Sequence, residues 1–194
     1  NPANDPDMFN FEIGGNVTVL KNEVVNLVDD TLYGNNTITF EGEAMSMLYG
    51  YVSEGIFQSQ AEIDAHTGTD TTGATVQLQP DAVPGDVKYK DVNGDGAITA
   101  EDRDIIGNPW PLFTFGAKLG AAFKGLGLST FWLGSVGNDI FAASRMNVKS
   151  PSISTFYANR EKGVMGAYNW DNDGETPRID DEDPNGNSRP SSRF

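Results

Sequence analysis

The chain has 194 residues, of which 22 are glycine and none is cysteine, and its formal net charge is −15. The glycine-rich, polar composition favours strands joined by turns and long loops over a helical domain. The lack of cysteine excludes disulfides, thiolate metal sites and cysteine nucleophiles. The acidic balance has the wrong sign for contact with a phosphate backbone, so no nucleic-acid partner is expected.

The first predicted element is a long β-strand from Phe9 to Leu20. Its side chains alternate with period 2, the pattern of a strand with one apolar face. It is longer than the about five or six residues usual in globular strands and approaches the ~9–11 residues of a tilted membrane strand. A long edge strand in a soluble sandwich is the alternative. The apolar face would hold Phe9, Phe11, Ile13, Gly15, Val17 and Val19.

Two stretches, from Glu62 to Asp86 and from Tyr168 to Ser192, are polar and rich in turn residues. We predict that both are long irregular loops that bury no core. Long loops on one side and tight turns on the other are typical of membrane β-barrels. The tract 171–183 holds seven acidic residues and a single Arg178, which favours a solvated loop, with cation binding as the alternative.

The sharpest local signal is the segment Asp91–Asp102, whose sequence matches the opening of a calcium-binding loop. A hard cation needs a ring of oxygen atoms, and Gly96 permits the sharp turn. An aspartate in the last position is shorter than the usual glutamate, which weakens bidentate calcium binding and leaves room for magnesium. The predicted calcium or magnesium ligands are Asp91, Asn93, Asp95, the backbone carbonyl of Ala97, Thr99 and Asp102.

The flanks of this loop do not predict a helix on each side. The upstream segment 84–90 alternates like a strand, and Gly107, Asn108 and Pro109 would end any helix that begins near Ala100. The alternative to a metal site is a turn in which aspartate and asparagine side chains cap their own backbone.

A second long strand is predicted from Leu112 to Lys124, followed by a tight turn at Gly125–Gly127 and a third strand from Leu128 to Gly137. Together they form a predicted β-hairpin. Both faces of the third strand are partly apolar, so its lipid side is left open. In the second strand, aromatic residues at both ends favour contact with lipid for Phe113, Phe115, Ala117, Leu119, Ala121 and Phe123.

No catalytic residues are predicted, and an enzyme is not expected. His66 is the only histidine, so neither a histidine-dependent triad nor a multi-histidine metal site is supported. The carboxylates of Glu54, Glu62 and Asp64 are candidates for a glycosidase pair, but ordinary surface carboxylates are the competing interpretation.

Three stretches in sequence resemble the SusC/RagA-like TonB-dependent transporters. The first is Leu48–Gln58 followed by Ala61–Ile63. The second runs from Pro84 through the acidic loop to Pro109, and the third comprises Phe113–Gly116, the hairpin and Gly137–Ile140. The matches cover roughly residues 42 to 147.

This resemblance implies an all-β chain that is part of a large antiparallel transmembrane β-barrel with long extracellular loops, in a bacterial outer membrane. Residues 1–194 are then expected to be an incomplete C-terminal portion, without the plug, the TonB-interacting segment and most strands. The implied function is TonB-dependent import of oligosaccharides or oligopeptides. The implied partners are a SusD-like surface lipoprotein, TonB–ExbB–ExbD, membrane lipid and the remainder of the barrel.

The alternative function is a secreted, calcium-stabilised β-rich module that binds glycans or resembles a dockerin. Dockerins favour aspartate in the last loop position, as Asp102 is here, but they carry two such loops followed by helices. This sequence has one good loop.

Overall fold

The computed structural model describes residues 8–143, 177–178, 184–187 and 189–192. The expected all-β class is confirmed there, because strands predominate and the α-helix in these ranges is short. In chain order the elements are β1 (Asn10–Val19), β2 (Thr31–Tyr33), β3 (Thr37–Phe40), β4 (Met47–Tyr51), β5 (Ser53–Ile56), α1 (Gln60–Ala65), β6 (Thr67–Thr69), β7 (Thr75–Gln77), β8 (Val87–Tyr89), β9 (Arg103–Gly107), β10 (Phe113–Phe123) and β11 (Leu126–Val136).

Helices within the described ranges are all too short or too polar to cross a membrane.

The long first strand and the hairpin are confirmed, and the structure adds that they pair in one antiparallel sheet in the order β1-β10-β11. Its register is set by pairs such as Ile13 with Leu119 and Ala117 with Trp132. β1 and β10 lie far apart in sequence yet pair from Asn10 with Ala122 to Val19 with Phe113. The chain between them therefore leaves the sheet and returns to it at the same end of the strands. We call this segment, residues 20–112, the excursion.

The predicted turn at Gly125–Gly127 is wrong in its position. The turn is formed by Lys124 and Gly125, with φ of 50° and 78°, and Phe123 pairs directly with Leu126. A two-residue turn with positive φ at both positions matches the twist of the flanking strands. Lys124, predicted as the last residue of the second strand, therefore lies in the turn, while Leu126 and Gly127 belong to β11.

The excursion contains three small sheets, with strand orders β2-β3-β4-β9, β5-β8 and β6-β7. Two small apolar clusters of buried residues lie within the excursion. One has Ile38, Ala44 and Met47 at its centre, and the other contains Phe57, Ile63 and Ala82.

The prediction that Glu62 to Asp86 buries no core is wrong. This stretch contains most of α1 and both strands of the β6–β7 hairpin. Ile63, with 1% of its surface exposed, and Ala82, with 5%, pack against Phe57. The hydroxyl of Ser59 accepts the Glu62 N–H and caps α1, which fixes the position of Ile63.

The described part of Tyr168 to Ser192 also contradicts the prediction of a loop without burial. Asn185 and Asn187 are buried against β8. The Oδ1 of Asn187 accepts the Val87 N–H at 2.8 Å, and the Nδ2 of Asn185 donates to the Val87 carbonyl at 3.0 Å. Two side-chain amides thus satisfy backbone groups that a neighbouring strand would otherwise pair. We call residues 185–187 the asparagine clasp. Apart from Pro177 and Arg178, the acidic tract 171–183 lies outside the described residues.

Candidate functional site

The acidic loop predicted to bind a metal connects β8 to β9, so it joins two strands. A 3₁₀ turn at Ala100–Asp102 closes it, and no helix flanks it on either side. The expectation that this loop is not part of a helix–loop–helix pair is confirmed.

The predicted ligands fold onto the backbone of their own loop. Asp91 accepts the Gly94 N–H through Oδ1 at 2.7 Å and the Gly96 N–H through Oδ2 at 3.0 Å. Asn93 Oδ1 accepts the Asp95 N–H at 3.0 Å. Each of these carbonyl or carboxylate oxygens keeps a further lone pair. The hydrogen bonds therefore shape the loop without using up its acceptors.

Asp102 is the buried end of the loop. Its side chain is fully buried, with Oδ1 accepting the Val92 N–H at 2.9 Å and Oδ2 accepting the Thr99 N–H at 2.6 Å. Together with the Thr99 side chain it forms a capping box on the 3₁₀ turn. Asp102 therefore ties both ends of the loop together.

The remaining predicted ligands lie at the exposed side of the loop. Asp95 Oδ1 accepts the Ala97 N–H at 2.9 Å. Among the described residues, no group of three or more histidine, cysteine, aspartate or glutamate side chains is arranged to hold a metal ion. The hydrogen bonds within the loop match the self-capped interpretation. The metal site stays a prediction, because three of its expected ligands, Asn93, Thr99 and the Ala97 carbonyl, do not belong to these four residue types.

The β6–β7 hairpin packs against the acidic loop at a glycine contact. Gly96 has φ of +85°, and a Cβ built there would lie 2.9 Å from the backbone nitrogen of Asp70. Only glycine fits both this turn and this approach. The Thr72 hydroxyl and the Ala74 N–H hold the pKa of Asp70 below its ordinary value, so the carboxylate at the hairpin tip is ionised.

Asp86, immediately before β8, is a fully buried carboxylate. Arg178 donates to it through Nε at 2.9 Å and through Nη2 at 3.3 Å. Asn187 donates through Nδ2 at 2.8 Å, and the Val83 N–H donates at 2.9 Å. A buried charge needs such partners. The Asp86–Arg178 ion pair and the asparagine clasp together hold β8 in place, and β8 leads directly into the acidic loop.

His66, the lone histidine, has a structural position at the end of α1. Its Nε2 lies 2.9 Å from the Tyr89 carbonyl oxygen, and its ring packs edge-on against Phe57. Burial lowers the pKa of His66, against the raising effect of the Tyr89 carbonyl. A neutral imidazole that donates to a carbonyl ties α1 to β8.

The candidate glycosidase carboxylates are each engaged separately. Glu54 forms an ion pair with Lys88 at 3.1 Å. Glu62 accepts the backbone N–H of residue 58 at 2.8 Å, and Asp64 accepts from the side chain of residue 60 at 2.9 Å. The last two contacts cap and brace α1, which favours the surface interpretation.

The second candidate site is the apolar face of the β1-β10-β11 sheet. The pairing of Ala117 with Trp132 and of Ala121 with Leu128 places the even-numbered residues of β11 beside the odd-numbered residues of β10. The register thus assigns the side of β11 that alternation alone left open. We define the apolar face as Phe11, Ile13, Gly15, Val17 and Val19, the six odd-numbered residues of β10, and Leu126, Leu128, Thr130, Trp132, Gly134 and Val136.

Large side chains on the apolar face are exposed in the described part of the chain. Ile13 is 80% exposed, Leu128 69% and Trp132 62%. A contiguous apolar surface of this kind marks contact with a membrane or a partner. Aromatic rings gather at its two ends, with Phe9 in tilted contact with Phe123 at the turn and a Phe113–Phe115 pair at the other end.

The opposite face of the same sheet is polar. Lys118 forms an ion pair with Glu12 across β10 and β1. Asparagine, threonine, serine and glycine occupy most other positions, and Phe131 and Leu133 are the large apolar exceptions on the described strands. The sheet therefore separates an apolar environment from a polar one.

Sequence reasoning missed Asp86, Asn185 and Asn187 as organising residues. The signal available was the Asn-Gly-Asn sequence, whose two amides each offer a donor and an acceptor. Composition alone marked it as a turn.

No protein-family model matches the chain. Three curated proteins of Formosa agariphila are similar to it. TonB-dependent receptor P3 is 32% identical over 192 residues, covering 84% of this chain and 18% of the relative. TonB-dependent receptor P26 is 31% identical over 144 residues, covering 70% and 14%, and TonB-dependent receptor P39 is 26% identical over 196 residues, covering 87% and 18%. The chain thus spans less than a fifth of the length of these relatives.

Proposed function

We propose, from the premise that this chain belongs to the TonB-dependent receptor family, that it serves TonB-dependent uptake across a bacterial outer membrane. In this proposal it contributes three adjacent strands to a transmembrane β-barrel, together with the excursion that joins two of them. The observation that carries the proposal is the sheet with one apolar and one polar face, fixed by the strand register.

The dimensions of the sheet support a membrane position. Its strands have 10 to 11 residues. At about 3.4 Å per residue they are roughly 35 Å long, and a tilt of about 45° reduces this to roughly 25 Å, the height of the apolar band of an outer-membrane barrel. The aromatic rings at both ends of the apolar face correspond to the two interfacial girdles.

The connections support one orientation. The excursion and the segment after β11 leave the sheet at the same end of the strands, where Asp139 accepts the Asn108 N–H at 2.8 Å. The two-residue turn at Lys124 lies at the opposite end of the strands. Since outer-membrane barrels have long loops outside and short turns at the periplasm, the excursion and the acidic loop are extracellular in our proposal.

The finer assignment is a SusC-like subunit. Its cargo would be an oligosaccharide or oligopeptide, its energy would come through TonB–ExbB–ExbD, and a SusD-like lipoprotein would cover the extracellular mouth. The support is the resemblance of three stretches between Leu48 and Ile140, with the folded excursion on the side that such a lipoprotein would meet.

We also propose that the acidic loop binds calcium, or magnesium, as a structural ion. Its support is the spacing of oxygen ligands and a loop already shaped by Asp91 and Asp102. An experimental map of the whole receptor in millimolar calcium should show oxygens at about 2.3–2.6 Å from calcium, or about 2.0–2.1 Å from magnesium. Asp95→Ala should abolish the ion and leave the barrel intact. A loop without an ion in that map contradicts the metal site alone.

The orientation is tested by cysteine labelling on intact cells of a full-length receptor in which any cysteine outside this chain has been replaced, since residues 1–194 contain none. A cysteine at Glu101 in the acidic loop should react with a membrane-impermeant reagent. A cysteine at Lys124 in the turn should react only after the outer membrane is permeabilised. The reverse pattern contradicts the topology, and labelling of both on intact cells contradicts a membrane-spanning sheet.

A further inference from the structure

The acidic loop contains an Asn-Gly pair in an exposed turn. Asn93 and Gly94 are both exposed, and Gly94 has φ of +74°. Because glycine carries no Cβ, its backbone nitrogen is open to the side chain before it. We propose that Asn93–Gly94 is a site of spontaneous succinimide formation, which converts Asn93 into aspartate or isoaspartate. This modification is independent of the transport function proposed above.

Two contacts in the loop suit the reaction, and a third holds the leaving nitrogen in place. The Gly94 N–H, whose nitrogen is the nucleophile, donates to Asp91 Oδ1 at 2.7 Å, within the reach required of a proton acceptor. The Asp95 N–H donates to Asn93 Oδ1 at 3.0 Å. That donor faces the oxygen on which negative charge develops when the amide carbon is attacked. The Asn93 Nδ2, the leaving nitrogen, donates to Asp95 Oδ2 at 3.0 Å.

The step balances without any co-reactant except water. The Gly94 nitrogen forms a bond to Asn93 Cγ while Asp91 accepts its proton and returns it to the solvent, and water donates a proton to the departing nitrogen. The Cγ–Nδ2 bond breaks and ammonia leaves, which closes a five-membered imide. Water then opens the imide at one of its two carbonyls. One opening gives aspartate at position 93, and the other gives isoaspartate, in which the backbone passes through the former side chain.

A second Asn-Gly pair in the chain provides an internal control. Asn185 is buried, and its Oδ1 accepts from Gln79 at 2.7 Å. Its Nδ2 is held by the Val87 carbonyl and by Asn187 Oδ1. The difference from the exposed Asn93 is burial, because only 7% of the surface of Asn185 is exposed and its side chain is enclosed against β8. The same dipeptide is therefore placed in one reactive and one protected environment.

The two products change the loop differently. Aspartate at position 93 adds a carboxylate at the third position of the loop, beside Asp91 and Asp95. Isoaspartate inserts a methylene group into the backbone and removes the Asn93–Asp95 turn. The first product favours a cation, and the second loosens the segment between Asp91 and Ala97.

The experiment uses the full-length receptor in detergent, incubated at neutral pH with EDTA so that metal occupancy has no influence. Trypsin cleavage after Lys90 and Arg103 releases the peptide 91–103, in which mass spectrometry detects the loss of the amide. A synthetic peptide of the same sequence is incubated alongside. Asn93 should convert faster in the folded receptor than in the free peptide, while Asn185 keeps its amide.

Asp91→Asn retains a hydrogen-bond acceptor for Gly94 but removes the proton acceptor. It should slow conversion of Asn93 by about tenfold, below the 10²–10⁴ contribution of an optimised general base. Conversion in the folded receptor that is no faster than in the free peptide would overturn the proposal. Equal conversion of Asn93 and Asn185 would do the same.

Discussion

Leu119→Arg is the most direct probe of the apolar face. Leu119 lies one residue from the middle of β10, pairs with Ile13 and Thr130, and is 49% exposed. If the face meets hydrocarbon, the guanidinium is placed near the bilayer midplane without a partner. An arginine there costs about 2–4 kcal/mol in an outer-membrane barrel. At about 1.4 kcal/mol for each factor of ten, the folding equilibrium falls between roughly 30-fold and several hundred-fold.

The matched control is Ser129→Arg. Ser129 pairs with Gly120 and lies at nearly the same depth as Leu119, but on the polar face of the sheet. Its arginine would meet water or polar groups and should cost less than about 1 kcal/mol. Gly116 is unsuitable as a control, because a Cβ there would lie 2.5 Å from Asn16 Oδ1.

Both variants are compared in the full-length receptor by urea titration in lipid vesicles, with folding followed by mobility on unboiled gels. The expected result is a lower urea midpoint for Leu119→Arg and a midpoint near wild type for Ser129→Arg. Equal midpoints for the two variants, or a larger loss for Ser129→Arg, would refute the assignment of faces.

Three further results are expected. Asn187→Ala removes one acceptor for the Val87 N–H and one donor to Asp86, so it should lower the free energy of unfolding by about 1–3 kcal/mol. Amide hydrogen exchange at residues 86–89 should accelerate, and unchanged exchange contradicts the role of the asparagine clasp. Because burial lowers the pKa of His66, the unfolded chain binds a proton more readily than the folded chain. The contribution of His66 to stability is therefore full above a pH of about 6.5 and declines as the pH falls below it. His66→Gln should flatten this decline in an acid titration, and an identical decline in the variant contradicts the role of His66. The exposed Glu12–Lys118 pair should contribute less than about 1 kcal/mol, so Glu12→Gln should leave the urea midpoint nearly unchanged.

The long strands were predictable because alternation is strong wherever a sheet separates two environments. Phe11, Ile13 and Val17 repeat with period 2, and β10 does the same. β11 was not assignable alone, since Phe131 and Leu133 put apolar groups on both faces. Only the pairing with β10, in which Trp132 lies opposite Ala117, determines which face is which.

The excursion was less predictable for a physical reason. Its apolar clusters are small and are built from residues such as Ile63 and Ala82. These residues follow neither a strand nor a helix periodicity in the sequence and have polar neighbours. The clasp is harder still, because Asn185 and Asn187 are buried through hydrogen bonds to β8 and not through hydrophobicity. Amide side chains that replace a strand leave no hydropathy pattern.

The excursion begins and ends at one point of the sheet, where the Leu20 N–H donates to the Leu112 carbonyl at 3.3 Å. Its two ends are held by the neighbouring strands β1 and β10, which pair with each other through their own backbone groups. Since closing a longer loop costs little extra entropy, an excursion of different length or sequence can be joined to the same two strand ends. In the topology proposed above, a change within the excursion would alter the extracellular surface and leave the transmembrane strands as they are.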